Sequence, residues 1–202
     1  MPVTKTAKFL ATSLCLLLGS AALAQDSASP EGTGVDALSM GREEGAPAEG
    51  GIGSTYVAEK HGDWEQRCVR TEDGADPCQL YQLLRDTDQN PVAEISIFGL
   101  AAGQQAAAGA TIIVPLETLL TQDVTLQVDA GKAKKYPFSW CSNIGCIARI
   151  GFTAEEVDAF RKGNAATVAI VPVVAPDKQV KVQVSLKGFT AGYEAVNKAN
   201  GN

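Results

Sequence analysis

Apolar and polar residues alternate along several short stretches of this chain, and alternation with a period of two is typical of a half-buried β-strand. In the clearest stretch, Gln179–Leu186, every second residue is valine or leucine. Turn-forming residues separate these stretches. The pattern predicts about eight or nine strands; the main ones are Trp64–Val69, Cys78–Arg85, Val92–Phe98, Thr111–Val114, Val124–Val128, Ala166–Val174 and Gln179–Leu186.

One helix is well indicated. Thr153 and Glu156 have the spacing of a capping box, and Gly163 stands where helices commonly end. The residues Thr190–Lys198 are a weaker candidate for a short terminal helix. Many strands and one convincing helix predict an all-β sandwich with one short helix at its end or edge.

Four cysteines flank two predicted chain reversals. Such a set forms either a zinc site or two disulfides. Zinc sites usually have about two to four residues between paired ligands, and only Cys141 and Cys146 fit that spacing. Cys68 and Cys78 do not. Since each pair flanks its own turn, two local disulfides are favoured over the other pairings.

The first 24 residues have the features of a signal peptide. Lys5 and Lys8 precede the apolar run Phe9–Ala22 and an A-x-A cleavage site, so the mature chain is expected to begin at Gln25. Residues 25–54 are acidic and rich in Gly, Ala, Ser and Pro, and this composition predicts a disordered linker. The β-sandwich domain is expected at residues 55–202. No later apolar run is long enough for a transmembrane segment after cleavage.

Charge and cysteine content restrict the class of function. The formal net charge is -6, and loss of two lysines with the signal peptide changes it to -8, since 15 basic residues then face 23 acidic ones. Nucleic acids require a basic face, so a nucleic-acid partner is not expected. Disulfides in an exported chain indicate the periplasm, with outer-membrane association or secretion as alternatives.

Residue types that perform catalysis are sparse. His61 is the only histidine, which excludes a multi-histidine metal site. We predict no catalytic residue, no metal and no cofactor. Acidic pairs lie in predicted turns or at the helix start, where such residues are common for structural reasons; they are Asp73/Asp76, Asp86/Asp88 and Glu155/Glu156.

Five residues are candidates for a contact surface. Lys132, Lys134 and Lys135 form the one basic cluster, which either binds an anionic surface or protects a turn or edge strand. Trp64 and Trp140 each stand close to a cysteine. Core packing is the favoured interpretation of both tryptophans, and a ligand-binding aromatic surface is the alternative.

Several short motifs are spread over residues 60–195. They are Gly62-Asp63-Trp64 with Cys68, Cys78-Gln79-Leu80, Val114-Pro115-Leu116, Val128-Asp129, Pro137-Phe138 with Cys141, Gly145-Cys146 and Lys187-Gly188-Phe189. Together these motifs resemble the invasion-associated locus B family of exported bacterial proteins. The resemblance implies an immunoglobulin-like β-sandwich with two disulfides, in the periplasm or on the outer surface of a Gram-negative cell, and supplies no catalytic residues.

Three hypotheses of function follow. The first is an exported, non-enzymatic protein that contacts a cell-envelope or host protein, with host-cell interaction or invasion implied by the family name. The second is a hydrolase, which requires two carboxylates facing each other across a cleft. The third is a small-ligand carrier that uses the region of Trp64 and Trp140.

Overall fold

The computed structural model describes residues 50–202, so the predicted signal peptide and most of the predicted linker lie outside the described residues. The strands of the described part are β1 (Thr55–His61), β2 (Trp64–Val69), β3 (Cys78–Arg85), β4 (Pro91–Gly99), β5 (Ala108–Val114), β6 (Val124–Val128), β7 (Lys134–Tyr136), β8 (Trp140–Ser142), β9 (Gly145–Phe152), β10 (Ala165–Ile170) and β11 (Val180–Ser185). The helices are α1 (Ala154–Lys162) and α2 (Phe189–Ala199), and a short 3-10 helix covers Leu120–Gln122.

The strands form two antiparallel sheets. The larger has the order β1-β2-β3-β4-β5-β9-β8, and the smaller has the order β11-β10-β6-β7. The predicted β-sandwich with two local disulfides is confirmed, and the immunoglobulin-like description holds at the level of two packed sheets. The edges of the larger sheet are β1 and β8, and those of the smaller are β11 and β7.

One hydrophobic core joins both sheets and both helices. It forms because alternate residues of each strand point to the same side of its sheet, as in β2, where every second residue is buried. The largest fully buried side chains are Trp64, Leu80, Leu84, Ile95, Ile97, Ile112, Val114, Val124, Phe152, Phe160, Val168 and Phe189.

Two of the differences between the predicted and observed strands have clear physical reasons. β1 was not predicted, because most of its residues are exposed and it carries no apolar alternation; it forms by pairing with β2. The predicted strand Ala166–Val174 ends at Ile170, since Pro172 has no amide hydrogen to continue the ladder. Beyond that point Val173 donates instead to the Glu117 carbonyl, at 2.9 Å.

The helices confirm one prediction and correct another. α1 begins with the predicted capping box of Thr153 and Glu156. The weaker candidate Thr190–Lys198 is also a helix, since α2 spans 11 residues there, so the domain has two helices rather than the single one of the predicted fold class. Phe189, Tyr193 and Val196 on one face of α2 are buried against the larger sheet.

Candidate functional site

Trp64 belongs to the core, as the favoured interpretation has it, and not to the contact surface that was the alternative. Its relative exposure is 0%. The ring lies edge-on to Phe189 with 5.5 Å between centroids, and Nε1 donates to the Ser185 carbonyl at 2.8 Å. These contacts satisfy both the apolar and the polar part of the indole.

Trp140 is 49% exposed, so the prediction that it packs in the core is wrong. It lies in edge strand β8, whereas Trp64 lies in β2. Five strand spacings of about 4.8 Å place these strands about 24 Å apart. A carrier site shared by the two tryptophans is therefore excluded.

The predicted lysine cluster lies in the β6–β7 hairpin. Lys134 and Lys135 belong to edge strand β7, and Lys132 lies in the preceding turn. Residues 137–139 connect β7 directly to β8, so one continuous segment forms an edge of each sheet. Neighbouring strand residues point to opposite sides, and Lys134 faces α1, where it pairs with Glu156. We call Lys135 and Trp140 the edge surface.

The hairpin and α1 enclose a cleft of about 320 Å³. We call it the hairpin–helix cleft. Its apolar part consists of Leu126, Val128, Ala159 and Phe160, and the basic side chains that line it are Lys132, Lys134 and Lys162. Sequence analysis missed Lys162, because this residue comes from α1 and only the fold brings it to the hairpin.

Glu156 is the most highly connected side chain of this cleft. Its carboxylate accepts hydrogen bonds from the Tyr136 hydroxyl at 2.9 Å and the Thr153 amide at 2.8 Å, and pairs with Lys134 Nζ at 2.7 Å. Burial opposes ionisation of Glu156, but these partners outweigh it and hold its pKa below the ordinary value of 4.5. Burial, and then the hydrogen bond with Glu156, raise the pKa of Tyr136 well above 10.0.

Asp129, the other acidic residue of the cleft, also has hydrogen-bond partners within the protein. Asp129 accepts hydrogen bonds from the backbone amides of Asn164 and Ala165, at 3.0–3.2 Å. Both carboxylates therefore have internal partners, which leaves Lys132 and Lys162 as the basic groups that face the cleft without such a close partner among the described residues. Lys162 Nζ is 3.9 Å from Asp158 on the exposed helix face.

The predicted acidic pairs in turns have local structural roles through Asp86 and Asp76. Asp86 accepts hydrogen bonds from the amides of Asp88 and Asn90 in its own turn. Asp76 accepts from Thr71 and from the Tyr56 hydroxyl, which lowers the pKa of its carboxyl. The structural interpretation of these acids is supported.

His61 is largely buried, and the four cysteines flanking the two turns form disulfides. The His61 side chain is 10% exposed, with Nε2 3.6 Å from Glu59, rather than in a solvated loop. The disulfides Cys68–Cys78 and Cys141–Cys146 are confirmed, and each joins residues directly opposite in neighbouring strands.

Residues 50–202 contain neither a cluster of metal ligands nor a membrane-spanning helix. Within this range, three or more His, Cys, Asp and Glu side chains nowhere come together as a metal site. The helices of the same range are too short or too polar to cross a bilayer.

Two motifs behind the family resemblance meet at one junction in the fold. Gly62 and Gly188 bring their backbones into contact, and both have a positive φ. The Asp63 amide donates to the Lys187 carbonyl at 3.2 Å. Gly62-Asp63-Trp64 and Lys187-Gly188-Phe189 thus join the β1–β2 turn to the start of α2, which is a structural role.

Comparison with known proteins agrees with the fold and the motifs. The family model for invasion associated locus B (IalB) protein matches residues 64–197. Invasion protein B homologues of Brucella abortus strain 2308 and of Brucella abortus biovar 1 strain 9-941 are each 26% identical over 145 residues, which is 71% of this chain and 81% of theirs. The crystal structure of invasion associated protein B from Bartonella henselae superposes with a TM-score of 0.60 and 24% identity, covering 71% of this chain and 98% of that one. The chain belongs to the invasion-associated locus B family.

Proposed function

We propose that this protein is an exported, non-enzymatic component of the cell envelope that acts by contacting another protein, and that the edge surface makes the contact. The observation that carries this proposal is the exposure of Trp140 in an edge strand whose chain continues directly from two lysines. Tryptophan is among the residues most enriched at the energetic centres of interfaces.

The backbone around Trp140 is restrained before any partner binds. Its strand is paired with β9, and the neighbouring Cys141 is joined to Cys146. A side chain on a covalently fixed hairpin loses little conformational freedom on binding, which favours affinity. The names of the Brucella and Bartonella relatives support a host surface as one class of partner, beside a protein of the bacterial envelope.

The charge of the edge surface indicates which kind of partner surface would complement it. Lys135 places a positive charge beside Trp140 on a protein whose formal net charge is -6, whereas the charge of Lys134 is paired with Glu156. An acidic partner surface with an apolar pocket for the indole would complement this arrangement. Several carboxylates already accept hydrogen bonds from groups of the protein itself, which supports a binding function over carboxylate catalysis. These are Glu156, Asp129, Asp86 and Asp76.

The test compares capture by the wild-type protein with capture by Trp140→Ala and Lys135→Glu. Immobilised proteins are exposed to envelope and host-surface fractions, with Leu120→Ala and Lys178→Glu as exposed controls. We expect a partner that is retained by the wild type and both controls and lost by both edge variants. Equal capture by all five proteins would remove the edge surface from the proposal. Fractionation of native cells tests the periplasmic location.

A further inference from the structure

We propose that the hairpin–helix cleft binds a small amphiphilic anion, whose carboxylate or phosphate group contacts Lys132 and Lys162 while its apolar part lies against Val128 and Ala159. The buried side chains of Leu126 and Phe160 form the floor below them. The cleft volume of about 320 Å³ falls at the lower end of small-molecule sites, which span about 300–1,000 Å³. This is a different site from the region of the two tryptophans, and it goes beyond the proposed protein contact.

The charges of the cleft favour an anion. Lys132, Lys134 and Lys162 face two carboxylates, so the lining carries one net positive charge on an acidic protein. Lys134 is occupied by Glu156 at 2.7 Å. The Lys162–Asp158 pair is long and exposed, at 3.9 Å with 80% of the lysine side chain accessible, and such pairs are weak. The amino groups of Lys132 and Lys162 are therefore the ones available to a ligand.

A cation would find no comparable partner in the cleft. Asp129 is bonded to two backbone amides, and Glu156 to an amide, a hydroxyl and a lysine. A cation would have to displace these internal bonds, whereas an anion adds charge-assisted hydrogen bonds without breaking any of them. The apolar residues beside the lysines then select an anion that carries a hydrocarbon part.

The test is a titration of the ¹⁵N-labelled full mature protein, followed by NMR chemical shifts, with four matched probes: octyl phosphate, octanoate, octanol and octyltrimethylammonium. We expect saturable shift changes confined mainly to residues 126–136 and 156–163. The anions should bind about tenfold tighter than the neutral or cationic probe, as expected for hydrogen bonds to charged groups. The tighter of the two anions identifies the preferred head group.

Variants connect the binding to named residues. Lys132→Gln with Lys162→Gln should weaken binding of the anionic probes about tenfold, and the control pair Lys178→Gln with Lys187→Gln should leave it unchanged. Ala159→Trp, at an exposed position of α1, should block the cleft without unfolding the domain. Equal affinity for all four probes, unchanged binding by the lysine variants, or shift changes elsewhere would overturn the proposal. Trp140 and Lys135 are untouched, so either proposal can fail without the other.

Discussion

The indole nitrogen of Trp64 and the carbonyl of Ser185 are joined by a hydrogen bond of 2.8 Å between the two sheets. Ser185 ends β11, an edge strand of the smaller sheet. The side chain of Gln82 in β3 completes the connection, since its Oε1 accepts from the Ser185 amide at 2.8 Å and its Nε2 donates to the Ser185 carbonyl at 3.1 Å. A buried glutamine thus pairs with the edge strand much as another backbone would.

Gln82→Leu should destabilise the domain by about 1–3 kcal/mol, because it leaves the Ser185 amide without its partner. Urea unfolding monitored by circular dichroism measures the change. Gln79→Leu is the control, since Gln79 is a half-buried residue of the same strand that points to the other side of the sheet. Equal stability of the two variants would mean that the Gln82 bonds contribute little.

Gly188→Ala should destabilise the junction between the β1–β2 turn and α2. Gly188 has a φ of 88°, and an added Cβ would collide with the backbone carbonyl of His61. Gly74→Ala is a matched control, because Gly74 has a φ of 71° and open space around it. We expect the Gly188 variant to lose at least about 2 kcal/mol more than the control, as a clash with fixed backbone requires. Equal losses would show that only backbone conformation matters.

Removal of either disulfide should lower thermal stability, and loop closure predicts about 2–3 kcal/mol for each. Cys68→Ala with Cys78→Ala should cost more than Cys141→Ala with Cys146→Ala, because Cys68 and Cys78 are both buried whereas Cys141 is exposed. Melting temperatures of both double variants under non-reducing conditions test the order. An unchanged melting temperature would mean that the disulfide concerned contributes nothing.

Glu156→Gln should destabilise the protein at neutral pH but not in acid. The pKa of Glu156 is lowered in the folded state, so its ionised form contributes stability above the ordinary pKa of 4.5, and the contribution is lost as pH falls through the folded-state pKa. The unfolding curves of wild type and variant should therefore converge below pH 4.5. Glu155→Gln, at the exposed neighbouring position, is the control and should change stability at neutral pH much less than Glu156→Gln. The prediction would be contradicted if the free energies of unfolding of wild type and Glu156→Gln differed by the same amount at neutral and acidic pH.

The sequence contained enough information for most strands, because alternation, turns and caps act locally. The bounds of β2, β3 and β6 agree with the prediction, as do the disulfide pairings. α2 was only weakly indicated, since Gly188 at its N-terminus provides no capping side chain and the helix depends on burial of its apolar face. Trp64 and Trp140 show the same limit, because only the strand order and the packing decide that one lies in an interior strand covered by the core and the other in an exposed edge strand. The hairpin–helix cleft could not be predicted, since its walls come from separate parts of the chain.

Site-specific photo-cross-linking in native cells tests the proposed contact most directly. A photoreactive amino acid in place of Trp140 is compared with the same group in place of Val57, an exposed residue of the opposite edge strand. We predict a discrete cross-linked protein from position 140, absent from position 57 and lost when Lys135→Glu is added. No cross-link from position 140, or the same product from both positions, would contradict a contact through the edge surface.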